Sequence, residues 1–182
     1  MGLRPLAIAL LASLCLMRAE SVAAASAAEL DRKASAALKA LYTQSAAAKA
    51  LSAKAKGVLV FPDIVKGGFI VGGQIGEGVL RVGDKTNGYY RSVAASYGLQ
   101  AGVQSFGYAL MFMNSDALAY LDKSEGWEIG VGPSIVVVDE GTAKSLTTTT
   151  AQSGVYAFIF NQKGLMAGLG LQGAKITKIT PK

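Results

Sequence analysis

The sequence contains no histidine and a single cysteine, Cys15, among its 182 residues. Without histidine the chain lacks the usual general base and a principal zinc ligand, and a serine–histidine–aspartate triad is impossible. A lone cysteine forms no internal disulfide and no thiolate zinc site. The acidic residues are few and scattered, with Asp139-Glu140 and Glu125-x-x-Glu128 as close groups in loop-like positions. We therefore expect no catalytic residue, no metal and no cofactor.

No apolar run reaches the length of about 20 residues that a transmembrane helix needs. Residues 5–17 are apolar or small, follow a short basic start and precede small residues with Ala-x-Ala spacing. This pattern is typical of a secretory signal peptide. We predict a signal peptide over residues 1–27, a single domain over residues 28–182, and an exported protein that is periplasmic or peripherally membrane-associated. Lipid attachment at Cys15 is the less favoured alternative, because Leu14 stands where a lipoprotein signal needs a small residue.

Basic residues outnumber acidic residues by 18 to 12, which gives a formal net charge of +6. A basic exported protein favours anionic surfaces such as phospholipid head groups, whereas nucleic acid is a poor partner outside the cytoplasm. The composition is 51% apolar and 16% charged, which excludes disorder and favours a packed core.

Residues 29–56 are rich in alanine and contain neither glycine nor proline, and they predict one long helix that ends at Gly57. At about 100° per residue an apolar stripe that includes Leu30 and Leu41 falls on one face. Arg32, Lys39 and Lys54 fall opposite, and Lys33 and Lys49 flank the stripe. The pattern suits a helix that packs on a sheet, and equally a basic helix that lies on a membrane.

After Gly57 short apolar runs alternate with glycines and turn signals such as Phe61-Pro62-Asp63. These runs predict strands near residues 57–61, 67–75, 78–83, 88–98, 101–113, 127–138, 154–161, 164–172 and 174–180. Asn114-Ser115-Asp116 offers N-caps for a short internal helix that ends at Gly126. The expected fold is α+β: a strongly coiled, mainly antiparallel, glycine-rich sheet or barrel with a long N-terminal helix and one short internal helix.

Glycine is abundant within the predicted strands, as the stretch KGGFIVGGQIGEGVL at residues 66–80 illustrates. Glycine inside a strand marks a bulge, sharp coiling or the close approach of another backbone. It can equally make room for a ligand against the strand. The segment GLGLQG at residues 168–173 matches G-x-G-x-x-G, but the following AKITKITPK is strand-like, so the helix required by a dinucleotide site is missing.

Three segments resemble the SYLF lipid-binding domain family. Residues 55–80 (AKGVLVFPDIVKGGFIVGGQIGEGVL) are similar to its A-x-G-V-x-V-F-P, K-x-G-F, V-G-G and G-x-G signature. Residues 106–121 resemble its hydrophobic strand, Asn cap and short helix, and residues 160–176 resemble its closing S-K-G-L-F-A-G-x-x-L-x-G segment. The resemblance covers about residues 30–180.

This resemblance implies a non-enzymatic domain that binds phospholipid membranes. Eukaryotic members bind phosphoinositides, partly through an amphipathic N-terminal segment, and some bundle actin. This chain departs from them by its signal peptide and by the lack of an appended SH3 or zinc-finger domain. Export suggests a bacterial envelope, so binding to anionic lipid is the property that carries over.

The leading hypothesis is peripheral binding of an anionic phospholipid membrane. Candidate lipid-binding residues are the basic residues of the predicted helix and of the turns that follow: Arg32, Lys33, Lys39, Lys49, Lys54, Lys56, Lys66, Arg81 and Lys85. The alternative is a structural envelope protein that binds a protein partner or assembles with itself. A third hypothesis, a hydrolase that uses serine, lysine or carboxylates, has no supporting spacing.

Overall fold

The structure is a computed structural model that describes residues 25–68, 71–97, 102–123, 125–138, 153–163, 171 and 173–182. Within these residues, helices precede a mainly antiparallel sheet that is interrupted by a short internal helix. The predicted α+β fold is thereby confirmed.

Two N-terminal helices come first, α1 (Ala27–Gln44) and α2 (Ala46–Ser52). They are followed by four long strands, β1 (Gly57–Gly68), β2 (Val71–Val82), β3 (Lys85–Tyr97) and β4 (Gly102–Phe112). Helix α3 (Ser115–Leu118) continues into a 3-10 helix (Ala119–Asp122). The remaining strands are β5 (Trp127–Glu128), β6 (Ile135–Val138), β7 (Val155–Lys163) and β8 (Lys175–Ile179).

In the described part of the chain these strands form one eight-stranded sheet in the order β5-β8-β3-β2-β1-β4-β7-β6. The described pairings are antiparallel except that of β6 with β7. β1 therefore lies in the middle, paired with β2 on one side and with β4 on the other.

Each face of the sheet buries its own apolar cluster. On the helix face, Leu41 and Leu51 pack with Val60 and other residues of β1, β2, β4 and β7. On the inner face, Tyr108 and Trp127 belong to a cluster that includes residues of α3 and the 3-10 helix. Since successive side chains of a strand point to opposite faces, the two clusters share the same strands.

The N-terminal helix is divided where one continuous helix was predicted. Ser45 has extended backbone angles (φ −131°, ψ 105°), and its Oγ accepts a hydrogen bond from the Ala48 N–H at 3.1 Å. Its own N–H still donates to the Leu41 carbonyl. Ser45 thus ends α1 and caps α2, because a serine hydroxyl offers the backbone an alternative to the helical ladder. The second helix ends at Ser52, and Gly57 begins β1.

The turn predicted at Phe61-Pro62-Asp63 is wrong, because β1 continues through it. The register of β1 shifts between Val60 and Asp63 against β2, which is a β-bulge. A strand tolerates proline at a bulge, where its missing N–H removes no ladder hydrogen bond. Lys66 consequently lies within β1 and not in a turn, and it is only 5% exposed.

Among the other predicted elements, the internal helix is confirmed and one of the later strands is corrected. Asn114 caps α3, since its Oδ1 accepts from the Ala117 N–H at 2.8 Å. The single strand predicted for residues 127–138 is instead two short strands, because Gly130 and Gly132 adopt positive φ angles of 108° and 95°. Most of the strand predicted for residues 164–172 lies outside the described residues.

Candidate functional site

The basic residues of α1 point away from the sheet because its apolar stripe packs on the sheet. Leu30, Ala34, Ala37 and Leu41 are buried, whereas Arg32, Lys33 and Lys39 are exposed. Lys33 forms an ion pair with Glu29, one helical turn earlier, with its Nζ 3.0 Å from Oε1. This pair neutralises Lys33 and leaves Arg32 and Lys39 as the exposed cations of the helix.

A cleft opens where α1, α2, the start of β1 and the turn between β2 and β3 meet. We call it the helix cleft, and its volume is 810 Å³. Its lining residues are Ser35, Leu38, Lys39, Tyr42, Thr43, Lys49, Ser52, Ala53, Ala55, Gly57, Val58, Arg81, Gly83 and Asp84. The break at Ser45 creates this shape, because α2 departs from the line of α1 and brings Lys49 to the same opening.

Three candidate cations line the helix cleft: Lys39, Lys49 and Arg81. Among the described residues the ion pairs are Lys33–Glu29, Arg81–Asp31 and Arg91–Glu77, so neither cleft lysine belongs to one. Hydroxyl groups of serine, threonine and tyrosine accompany them in the lining. Two ammonium groups with hydroxyl donors form a suitable environment for a phosphate group, and Asp84 is the one acidic residue in the lining.

Arg81 is held at the edge of the helix cleft by Asp31. Its Nη2 lies 3.2 Å from Asp31 Oδ1, 3.2 Å from the Asp31 carbonyl oxygen and 3.2 Å from Ser35 Oγ. Thr86 Oγ1 also donates to Asp31 Oδ1 at 2.7 Å, and Tyr89 Oη donates to Oδ2 at 3.1 Å. Burial, together with this hydrogen bond to Asp31, raises the pKa of Tyr89. Asp31 therefore joins α1 to the hairpin of β2 and β3.

Of the remaining candidate residues, three are neighbours of cleft-lining residues in the sequence and one is not. Lys54 and Lys56 are exposed and alternate with the lining residues Ala53 and Ala55, and Lys85 follows the lining residue Asp84. Lys66 is separate from this group: it is buried in β1 and its side chain points to the inner face. Its predicted position at a surface turn is therefore wrong.

Sequence reasoning did not identify the hydroxyl groups of the cleft. Tyr42 and Thr43 lie three and four residues after Lys39, which lies four after Ser35, so a helical wheel could have placed them on one face. Ser52 could not have been placed with them, since the direction of α2 depends on the break at Ser45. Burial raises the pKa of Tyr42, and a hydrogen bond with Ser52 partly offsets that effect.

Metal sites and membrane-spanning helices were also sought in the described part of the chain. No group of three or more cysteine, aspartate or glutamate side chains there could hold a metal ion. None of the described helices combines the length and apolar character needed to cross a bilayer.

Comparison with known proteins finds a family match within the second half of the chain. Residues 93–180 match the family model Ysc84, described as a Las17-binding protein actin regulator. The matched segment runs from within β3 to the end of β8, and so includes strand β4 and both short helices between β4 and β5. A search of curated proteins found no match.

Proposed function

We propose that the chain is a member of the SYLF family, on the basis of the Ysc84 match over residues 93–180, and that it binds anionic phospholipid membranes peripherally. The family comprises lipid- and actin-binding domains and is a binding family rather than a catalytic one. We assign the binding to the helix cleft and to the exposed cations around it. The cleft precedes the matched segment, so this assignment depends on geometry.

The observation that supports the site is the convergence of Lys39, Lys49 and Arg81 on one opening. The two lysines come from different helices and lie outside the ion pairs of the described residues. Arg32, Lys54, Lys56 and Lys85 are exposed in the same region of the sequence. A phosphate group bound in the cleft would meet two ammonium groups, and neighbouring head groups would meet the outer cations.

The attraction is electrostatic and additive. Each lysine or arginine near an anionic surface contributes about 1 kcal/mol. Three such side chains would give roughly 3 kcal/mol, or about a hundredfold in the membrane partition coefficient. Lys33 and Arg81 contribute less, because each already pairs with a carboxylate. High salt should remove most of this attraction, since the screening length falls from about 10 Å at 0.1 M to about 3 Å at 1 M.

We also propose that the protein is exported and that residues 1–27 are the signal peptide. Ser26 caps α1, because its Oγ accepts from the Glu29 N–H at 3.3 Å. Cleavage after Ala25 would keep this cap, whereas cleavage after Ala27 would remove it. Mass spectrometry of protein from the envelope fraction gives the cleavage site, and a full-length chain confined to the cytoplasm would contradict export.

The proposed binding is tested by co-sedimentation with vesicles of phosphatidylglycerol or cardiolipin, compared with phosphatidylcholine. We expect binding to the anionic vesicles alone at low salt, and loss of its electrostatic part at high salt. The double variant Lys39→Glu/Lys49→Glu should bind at least tenfold more weakly, because it reverses both cleft charges. The triple charge reversal at Arg32, Lys39 and Lys54 should weaken binding as well.

A matched control separates the helix cleft from net charge. Lys123→Glu/Lys178→Glu makes the same change in charge at exposed positions outside the cleft lining. We expect it to retain most of the binding. Equal losses in both double variants would assign binding to overall charge, and unchanged binding in the cleft variant would remove the cleft from the mechanism.

A further inference from the structure

The helix face of the sheet carries exposed aliphatic side chains on the half of the strands beyond α1 and α2. They are Val65, Val71, Ile75, Val93 and Val103, with exposures between 45% and 71%. On β1 the neighbours of Val65 are Ile64 and Lys66, both buried. Ile64 belongs to the inner cluster, so Val65 points to the opposite face.

The strand register joins these side chains into one row. Val65 pairs with Ile75, and Ile75 pairs with Val93, across three adjacent strands. Ser105 on β4 pairs with Val65 and continues the row in the other direction. Val103 and Val71 share this face, since each lies an even number of residues from Ser105 or Ile75 on its own strand.

A lysine flanks the central residues of the row on each side, and on β5 Glu128 pairs in turn with Lys175. Ser105 pairs with Lys163 on β7, and Val93 pairs with Lys175 on β8, and both lysines are exposed. The row therefore reads Lys163, Ser105, Val65, Ile75, Val93, Lys175 across six strands. We call it the aliphatic row. Five strand spacings of about 4.8 Å separate its two lysines by roughly 24 Å along the sheet.

The acidic residues nearest the aliphatic row are Asp63 and Glu77 on the side of the helices, and Glu128 on β5, which pairs with Lys175. Asp63, Glu77 and Arg91 form the paired positions next to Val65, Ile75 and Val93 on the side of the helices. Arg91 Nη2 donates to Glu77 Oε1 at 2.7 Å, which neutralises that carboxylate. On the other side, the same face of the paired strands carries Val103, Gly67, Gly73 and Ala95 and no charged side chain.

The size and charge of this surface favour a lipid bilayer over a second copy of the chain. A stable dimer buries roughly 800 Å² on each partner, which is more than five aliphatic side chains offer. Two copies docked row to row would also place lysine against lysine. A bilayer accepts both features, because aliphatic side chains enter the acyl boundary while flanking lysines reach the phosphates.

We infer that the aliphatic row is a second membrane contact, which inserts Val65, Ile75 and Val93 into the interface of an anionic bilayer with Lys163 and Lys175 at the head groups. This inference rests on the proposed membrane binding and adds a hydrophobic component to it. Apolar insertion is not screened by salt. A fraction of the binding should therefore survive a salt concentration that screens the attraction between the cations of the helix cleft and the membrane.

The test replaces the three central residues by a polar β-branched residue in the variant Val65→Thr/Ile75→Thr/Val93→Thr. Threonine keeps the β-branched shape that strands prefer, so the sheet should be retained. The matched control, Val82→Thr/Val131→Thr/Val137→Thr, changes three exposed valines outside the row. Co-sedimentation with phosphatidylglycerol vesicles is measured at low and high salt.

At high salt we expect the row variant to bind at least fivefold more weakly than the original protein, and the control to bind equally well. At low salt the row variant should still bind through the cleft. Complete release of the original protein by salt, or equal high-salt binding of the row variant, would overturn the inference while leaving the proposed function intact. Absence of vesicle binding by the original protein at low salt would overturn both.

A second measurement places the row relative to the bilayer. Val103→Trp introduces an exposed indole on this face, whereas Trp127 is 1% exposed and reports the core. Lipids brominated on their acyl chains should quench the new emission and leave that of Trp127 unchanged. Unquenched emission from vesicle-bound protein would overturn the inference, as would a dimer in solution that the row variant converts to monomers.

Discussion

The glycines of β2 differ in how closely their neighbours approach them. A Cβ built on Gly78 would lie 2.6 Å from the Phe61 ring and 2.6 Å from the Val60 carbonyl oxygen, and one on Gly76 would collide with Asp63 and Ile64. These glycines lie opposite the bulge of β1 and make room for it. Gly73 differs, because its nearest neighbour would be the Ala94 carbonyl oxygen at 3.6 Å, an ordinary contact.

We predict that Gly78→Ala destabilises the protein by about 2 kcal/mol, the usual range for overpacking, and lowers the Tm by about 4–8 °C. The added methyl group must displace Phe61, which is fully buried beneath it. Gly73→Ala is the matched control on the same strand and should leave the Tm within about 2 °C of the original. Thermal unfolding followed by circular dichroism checks both, and equal Tm values for the two variants would contradict the assigned roles.

From the sequence, these glycines mark a bulge, sharp coiling, the close approach of another backbone or room for a ligand, but the sequence does not predict which glycine does which. The distinction depends on the bulge at Pro62, and the proline was interpreted as a turn. Lys66 was misplaced for the same reason. Because β1 continues beyond Pro62, its later residues alternate between the two faces of the sheet, and Lys66 falls on the inner face.

At the scale of elements, α1 is held on the sheet by its apolar stripe and by Asp31. The carboxylate accepts from Thr86 and Tyr89 and pairs with Arg81, so both strands of the hairpin formed by β2 and β3 contact one side chain. Periodicity alone predicted the stripe. It could not predict Asp31, because its three partners lie 50 to 58 residues away and meet it only when the hairpin folds.

We predict that Asp31→Ala destabilises the protein by about 2 kcal/mol, since it removes hydrogen bonds to a charged acceptor and leaves Arg81 without its carboxylate. Urea unfolding measures this change. Glu29→Ala removes an exposed ion pair from the same helix and should cost less than about 1 kcal/mol. If the two substitutions cost the same, Asp31 does not join the helix to the hairpin.

The candidate site, too, could be predicted from the sequence only in part. Helical spacing predicted which cations of α1 face outward, and Lys39 and Lys49 do line the cleft. The break at Ser45 and the pairing of β4 with β1 were not predicted, yet they create the cleft and the aliphatic row respectively. Lys163 and Lys175 belong to a common row only through pairings between distant strands, which a single sequence does not specify.

At the scale of the whole molecule, the inner cluster couples the sheet to the segments that follow β4. Tyr108 lies within it, fully buried, and donates to Ser92 Oγ at 2.8 Å. Its ring stacks on Phe61 with the centroids 4.7 Å apart. Burial raises the pKa of Tyr108 well above its ordinary value of 10, and burial with the charge of Asp122 also raises the pKa of Tyr90.

The raised pKa of Tyr108 predicts how global stability depends on alkaline pH. In the unfolded chain the phenol loses its proton near pH 10, whereas in the folded protein it stays protonated to higher pH. The unfolded state then binds fewer protons, so the free energy of unfolding is unaffected below about pH 10 and falls as the pH rises above it.

Tyr108→Phe should lower stability at neutral pH by about 1 kcal/mol, because Ser92 loses its partner. The same substitution should make the alkaline decline shallower, because the ionising group is gone. Tyr120→Phe is the control and should keep the original decline, since Tyr108 remains in place. Urea unfolding at pH values on both sides of 10 measures the slopes, and identical slopes for Tyr108→Phe and the original protein would show that another group controls alkaline unfolding.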